Sequence, residues 1–316
     1  MSYVFGPVPS RRLGWSLGID LVPFKTCSYD CIYCQLGRTT LHTVQRKEYV
    51  PVAAVLQEIE TKLKGNHRPD YVTISGSGEP TLNAGLGRVI RGLKKLTSIP
   101  VAVLTNGSLL HDQNIREELA TADVVIPSLD AATVPAFKRV NRPCDQISLE
   151  QVIKGLQDFA DMFRGRLWIE VMLVRGLNDG EEEIAALAAV LKDLPAEKIQ
   201  LNTVSRPPAE AFARPLEREQ MERIAARLGN RTEIIGHFAG KVYGDGSQQD
   251  IEREIVTLLG RRPCTLTEIA FLTGLHQAEV TKYIGRLVET GLIQAVYKEE
   301  VYYSSTVKTT TVRTCL

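Results

Sequence analysis

Tyr71-Val72-Thr73-Ile74-Ser75-Gly76-Ser77-Gly78-Glu79-Pro80 runs from a β-rich apolar stretch straight into a polar turn that carries two glycines. Stretches of this kind recur along the chain and alternate with helical periodicity, which argues for a parallel sheet with crossover helices. Six strands are expected, near Gly18 to Pro23, Tyr71 to Ser75, Val101 to Thr105, Val124 to Ser128, Leu167 to Leu173 and Ile199 to Val204. Amphipathic helices fill the intervals, among them Val52 to Leu63, Leu86 to Leu96, Leu149 to Phe163 and Glu181 to Leu194. Six β/α units amount to a partial barrel. Polar residues sit just after three of the strands: Gly76 to Pro80, Asn106-Gly107-Ser108 and Asp130. Ligand sites of parallel α/β folds lie at the carboxyl ends of strands, so the three loops point to one shared mouth. Gly76 and Gly78 taken alone are turn residues.

The pattern changes downstream. Residues 237–249, with Gly240, Gly244, Asp245, Gly246 and Ser247, read as a linker. Ile251 to Leu259 is expected to be a helix, Leu266 to Phe271 a second, Gly274 a turn, Ala278 to Glu289 a third, and Leu292 to Tyr303 a hairpin around Lys298-Glu299-Glu300. That order resembles a winged helix. The expected architecture is therefore α/β, with a partial (β/α)6 barrel over 1–236 and the linker at 237–249. A small winged-helix domain at 250–303 and a frayed, threonine-rich tail at 304–316 complete it. No internal repeat is evident.

The chain has 316 residues, 44% hydrophobic and 24% charged, enough for a sizeable core. Lysine and arginine number 38 against 37 acidic residues, so no overall bias draws it to nucleic acid or an anionic membrane. The start, Met1 to Pro7, lacks the basic flank and apolar stretch of a signal peptide, and no long apolar run occurs, so a cytoplasmic location without membrane contact is expected. Six cysteines are too few for a disulfide scaffold in a chain this long, and three of them are clustered.

The cluster is Cys27-Ser28-Tyr29-Asp30-Cys31-Ile32-Tyr33-Cys34, directly after the first expected strand. Such a loop can wrap three thiolates round one face of a cubane, and soft thiolates suit iron-sulfur or zinc. A structural zinc site needs a fourth ligand at typical spacing, and the nearest candidate is His42, with no second Cys-x-x-Cys in the chain. Cys-x-x-x-Cys-x-x-Cys with an aromatic, Tyr33, before the last cysteine closely resembles the signature of the radical S-adenosylmethionine (SAM) superfamily. That resemblance implies a 4Fe-4S cluster on Cys27, Cys31 and Cys34 with one iron left open. SAM would chelate that iron, and an electron from the reduced cluster would cleave it to a 5′-deoxyadenosyl radical that takes hydrogen from the substrate.

The resemblance extends further. Gly76-Ser77-Gly78-Glu79 is similar to the family's Gly-Gly-Glu element, whose backbone carbonyls accept from the SAM ammonium. Thr105-Asn106-Gly107 and Ser128-Leu129-Asp130 would by position approach the methionine or ribose parts. Glu79 reads equally as a solvated turn residue or an anion at a helix start, and Asn106 and Asp130 as Asx turns or caps. Glu170, Met172 and Asn202 lie on the last two strands, with core packing favoured for Met172. Replacing Gly78 by valine is expected to weaken SAM binding and to spare the cluster.

Gly6 to Gly14, Ser75 to Leu82, Ser128 to Ala131 and Asn141-Arg142-Pro143 look like a prokaryotic group similar to the tRNA wybutosine-synthesis radical SAM enzymes. A tRNA base or nucleotide is accordingly one candidate substrate, and a protein, peptide or small metabolite another. An iron-sulfur transcription regulator using the winged helix is the competing class. Arg11, Arg12, Lys25, Arg38, Arg46 and Lys47 against Asp20, Asp30 and Glu48 leave three net positive charges in the first fifty residues, which suit phosphate, SAM's carboxylate or a solvated face. From Gln249 onward eight basic residues balance eight acidic ones, and Lys282 and Arg286 balance Glu279 and Glu289, which argues against strong phosphate binding. Flavodoxin or ferredoxin is the expected type of electron donor. Cys144, Cys264 and Cys315 are isolated and expected to be inert.

Overall fold

The computed structural model describes residues 2–10, 12–64, 68–235, 248–273, 275, 277–297 and 300–306. Most of the expected linker, Arg11, Gly274, Lys298-Glu299, Cys315 and the tail beyond Thr306 lie outside these residues. Two compact units are found, Met1–His237 and Phe238–Leu316.

The first unit opens with β1 (Val4–Ser10), β2 (Gly14–Asp20) and the short β3 (Thr26–Cys27) and β4 (Leu41–His42). Then come α1 (Val52–Leu63), β5 (Tyr71–Ser75), α2 (Leu86–Leu96), β6 (Val101–Thr105), α3 (Gln113–Leu119), β7 (Val124–Pro127), α4 (Val134–Val140) and α5 (Leu149–Met162). It closes with β8 (Arg166–Leu173), α6 (Glu181–Lys192), β9 (Lys198–Thr203), α7 (Arg218–Leu228) and β10 (Thr232–Ile234). The main sheet runs β1-β2-β5-β6-β7-β8-β9-β10. It is parallel throughout except where β1 pairs antiparallel with β2. The fold is thus α/β with a mostly parallel sheet, carrying β1 and β10 beyond the six expected strands.

Period-two alternation divides each strand between two faces. Val72 and Ile74 of β5, Val101 and Val103 of β6, and Ile169 and Val171 of β8 join Val89, Ile90 and Leu93 of α2, Phe159 of α5 and Leu187 of α6 in the main core. A second cluster, Leu13, Ala102, Val124, Ile126 and Trp168, lies on the opposite face. The sheet is curled. Arg12, just before β2, forms an ion pair with Glu170 of β8, four strand positions away, which is about 19 Å across a flat sheet at about 4.8 Å per strand. Ser148 starts α5 with a capping box to Gln151, which fixes that helix where its apolar period begins.

The second unit contains α8 (Gln248–Arg261), β11 (Cys264–Thr265), α9 (Leu266–Thr273), α10 (Gln277–Glu289), β12 (Ile293–Tyr297) and β13 (Val301–Ser305). Its small sheet has the order β11-β13-β12. Among the described residues no helix is long and apolar enough to cross a membrane.

Candidate active site

The loop after β2 is fixed first by backbone. Asp20 accepts from Ser77 N at 2.7 Å, Lys25 N donates to Ser77 O at 2.6 Å and Glu79 N to Thr26 O at 3.1 Å. The turn after β5 is thereby zipped to the residues that lead into Cys27. This apposition explains both glycines. A Cβ at Gly78 would overlap the Thr26 carbonyl oxygen and lie 2.8 Å from its carbon, and one at Gly76, where φ is +103°, would overlap the Asp20 carboxylate. Because Gly78 rests on Thr26, a side chain there presses on the cluster loop itself. The expectation that Gly78→Val spares the cluster site is therefore corrected.

On its other side the cysteine loop is strapped to the end of α4. Asp30 N donates to Asn141 O, Ile32 N to Val140 O, and Cys144 N to Ser28 O, and Tyr29 bridges Pro143. Glu210 adds a clasp: its N–H donates to Ile32 O at 2.9 Å, and its carboxylate accepts from Arg142 at 2.6 Å and Arg38 at 3.2 Å. Asn141-Arg142-Pro143 stands out in the sequence only by its likeness, and Glu210 carries no signal there because its partners lie far away along the chain.

Cys27, Cys31 and Cys34 are half-buried free thiols, while Cys144 and Cys264 are buried and remote from any pairing. Each clustered sulfur meets a side-chain N–H donor from a different segment. Asn106 Nδ2 lies 3.6 Å from Cys27 Sγ, Asn141 Nδ2 3.7 Å from Cys31 Sγ, and Lys25 Nζ 3.1 Å from Cys34 Sγ. Burial, then the nearby Glu79 charge, pushes the Cys27 thiol up to about 12. Burial and then Asp130 push Cys31 well above the usual thiol range. These thiols keep their protons unless a metal's positive charge displaces them. Among the described residues no three His, Cys, Asp or Glu side chains are disposed to hold a single metal ion.

Glu79 is 2% exposed and accepts from Thr81 N at 3.0 Å, Thr81 Oγ1 at 2.6 Å, Thr105 Oγ1 at 2.7 Å and Asn106 N at 2.7 Å. Burial raises its pKa and these donors oppose the rise. It caps the short helical turn Pro80–Leu82, so the helix-start reading fits its geometry, except that it is buried rather than solvated. Its carboxylate and the Thr105 hydroxyl are engaged with one another and serve to hold Asn106. Asn106 makes the Asx turn to Ser108 N at 3.0 Å while its amide group faces Ser28 and Cys27.

Asp130 is also a hub, accepting from Tyr33 Oη at 2.5 Å, Asn141 Nδ2 at 2.6 Å and Met172 N at 2.9 Å. Burial raises its pKa against these donors. Ser128 N donates to Thr105 O, and the Ser77 and Ser128 hydroxyls have no hydrogen-bond partner among the described residues. Met172 is half-buried and stands outside the described core clusters, contrary to the core packing expected of it. Glu170 accepts from Asn202 Nδ2 at 3.2 Å as well as from Arg12. Later carboxylates also pair Arg46 with Glu118 and Arg38 with Glu210, so with Arg12 three of the six basic residues of that stretch are matched.

The residues fit a polar, thiolate-binding guest. The Tyr29 hydroxyl and Asn141 Oδ1, both buried beside the cysteines, lack a hydrogen-bond partner among the described residues, as expected where part of the lining belongs to a bound group.

A profile described as "Radical SAM superfamily" matches residues 21–188, more than half of the chain, so the chain belongs to the radical SAM superfamily. It is an enzyme, and members of this superfamily use a 4Fe-4S cluster and SAM. More particularly, it is 32% identical over 98% of its length to UPF0026 protein MJ1312 of Methanocaldococcus jannaschii, covering 97% of that protein. It is 37% identical over 92% of its length to a Brachyspira hyodysenteriae protein named GTPase Obg, and spans only 43% of that relative. A structure of TYW1 with a lysine-pyruvate adduct bound aligns with TM-score 0.52 and 20% identity, covering 71% of this chain and 75% of that one. A radical SAM methyltransferase from Sphaerobacter thermophilus aligns with TM-score 0.56 and 18% identity, covering 69% and 65%. At these identities the likeness is one of fold.

Proposed function

We propose that Cys27, Cys31 and Cys34 hold a 4Fe-4S cluster with one iron open to SAM, and that the chain cleaves SAM reductively to act on a tRNA base or nucleotide. The observation that carries the cluster reading is the set of three half-buried thiols on one doubly strapped loop, each facing its own N–H donor. When bound, the cluster and SAM supply the radical chemistry. The protein's part is orientation. Gly78 lets the turn lie against Thr26 and Gly76 lets it close on Asp20, Ser77 and Ser128 offer hydroxyls, and Asp130 locks Tyr33 and Asn141 beside Cys31. Glu79 and Thr105 act through Asn106. The tRNA reading rests on resemblance to the wybutosine-synthesis enzymes, and a protein, peptide or small metabolite is its rival. Flavodoxin or ferredoxin is the proposed electron source, in the cytoplasm.

The second unit is proposed to be a winged helix, on the order α8, α9, α10, β12, β13. Arg286 of α10 is tied to Glu252 of α8 at 3.0 Å and lies over the Tyr283 ring, so one of the two cations of that helix is already paired. This favours partner recruitment over strong phosphate binding.

Anaerobic reconstitution with iron and sulfide tests the reading. One cubane cluster and slow formation of 5′-deoxyadenosine from SAM are expected, both lost on replacing any of the three cysteines by alanine. Bound zinc without iron after anaerobic purification, or a cluster that also requires Cys144 or Cys264, would overturn it.

A further inference from the structure

Lys25 stands two residues before Cys27 and is 3% exposed. Its Nζ makes one hydrogen bond among the described residues, the 3.1 Å contact to Cys34 Sγ, and no carboxylate among them pairs with it. A buried ammonium without a carboxylate is costly unless another negative group faces it. The backbone is pinned as tightly as the side chain: its N–H donates to Ser77 O, and its carbonyl accepts from Thr40 N at 3.0 Å and Leu41 N at 3.1 Å. Its φ is +58°, in the left-handed region that glycine or asparagine occupies more readily. Among the described residues the other non-glycine with positive φ is Arg142, on the opposite side of the same loop. A residue held in a disfavoured conformation so that its charge meets a sulfur points to a function for that charge.

We propose that the Lys25 ammonium raises the reduction potential of the cluster by placing a buried positive charge against the Cys34 thiolate. This rests on the cluster reading above. Asn106 and Asn141 give the other two sulfurs neutral donors, whereas Lys25 adds a full charge. Taking up one electron adds one negative charge to the cluster and its thiolates, so a fixed cation beside them favours the reduced form. No bond is made or broken, and no proton moves. Lys25 is in this sense a positioning residue, acting on the cluster through Cys34.

The test uses the full chain, reconstituted anaerobically without SAM, as wild type, Lys25→Arg, Lys25→Gln and Lys25→Met. Iron and sulfide are assayed in each, and the midpoint potential is read by electron paramagnetic resonance during titration with dithionite. Lys25→Arg is expected to stay at the wild-type value. The Gln and Met variants are expected to load fully and to be at least tenfold harder to reduce, a shift of about 59 mV for one electron. A fully loaded neutral variant at the wild-type potential overturns the proposal while leaving the cluster reading intact. So does a Lys25→Arg potential as low as that of Lys25→Met, because shape rather than charge would then be responsible. If Lys25→Met fails to load, Lys25→Gln decides, and failure of both where Lys25→Arg loads would make the residue structural and the proposal wrong. A wild type that binds no iron removes the cluster reading itself and this proposal with it.

Discussion

Gly78→Ala probes the contact on which the whole site is built. The added Cβ would sit 2.8 Å from the Thr26 carbonyl carbon, nearer still to its oxygen, and 3.0 Å from Val22 Cγ2, while ordinary contact begins at 3.4 Å. The two backbones must therefore part by at least the difference, 0.6 Å. Two hydrogen bonds span that seam, Lys25 N to Ser77 O and Glu79 N to Thr26 O. Overpacking of this kind costs about 1–3 kcal/mol, and weakening two hydrogen bonds adds about 1 kcal/mol each. A loss of about 3–5 kcal/mol is expected, which corresponds to a fall in Tm on the order of 10 °C for a unit of this size. Gly180→Ala is the matched control, since nothing lies within 4 Å of its Cβ position. Differential scanning calorimetry of the two variants, with iron content after reconstitution, checks the expectation: Gly78→Ala melts earlier and loads less iron, and Gly180→Ala does neither. Wild-type melting and full loading of Gly78→Ala would refute the close seam between the turn and the cluster loop.

Three further outcomes follow from the same geometry. Glu79→Gln turns an amide N–H₂ toward one of the donors that the carboxylate satisfies, so denaturant unfolding should show a loss of about 1–3 kcal/mol, and an unchanged midpoint would mean that Glu79 is not the hub described. Glu197, bound to Arg166 at 2.9 Å, has its pKa lowered from 4.5 to about 2, first by that hydrogen bond. Its folded value lies below the unfolded one, so the stability it adds is present above 4.5 and is lost as pH falls toward about 2. Solvent screening holds that contribution to about 1 kcal/mol or less. The gap between wild type and Glu197→Gln should therefore close on acidification, and a gap independent of pH would contradict the pairing. Ending the chain at Gly246 should leave cluster loading and SAM cleavage intact, because every cluster and cofactor candidate precedes it; lost cleavage with the cluster still present would show that the second unit completes the site.

Legibility in the sequence followed local pattern. Tyr71–Ser75 alternates and Val101–Thr105 is a short β-rich apolar run, and the bounds of both in the structure are those expected. β2 begins at Gly14 rather than Gly18, because its inner face carries Ser16 and Gly18 and so breaks the apolar signal. β1 carries Pro7 and Pro9, which argue against a strand unless it lies at a sheet edge, where it is found. In the site, spacing alone picked out the three cysteines. The duties of Glu79, Asp130, Asn141 and Glu210 were hidden, because each is defined by partners that only the folded chain brings together, as when Asp130 gathers Tyr33, Asn141 and Met172. A carboxylate after a strand looks the same in sequence whether it meets a cofactor or its own neighbours.

The double strapping of the cysteine loop also bears on what holds the loop when no metal is bound. Small zinc modules are unfolded until the metal arrives, because the ion supplies the folding energy. Here the basket is woven from main-chain hydrogen bonds to Ser77, Thr26, Val140 and Asn141, none of which involves a thiol. A cluster destroyed by oxidation would leave its receptacle standing. The loop's course would then be set before any iron and sulfide arrive, and the metal would enter a place the backbone has already shaped.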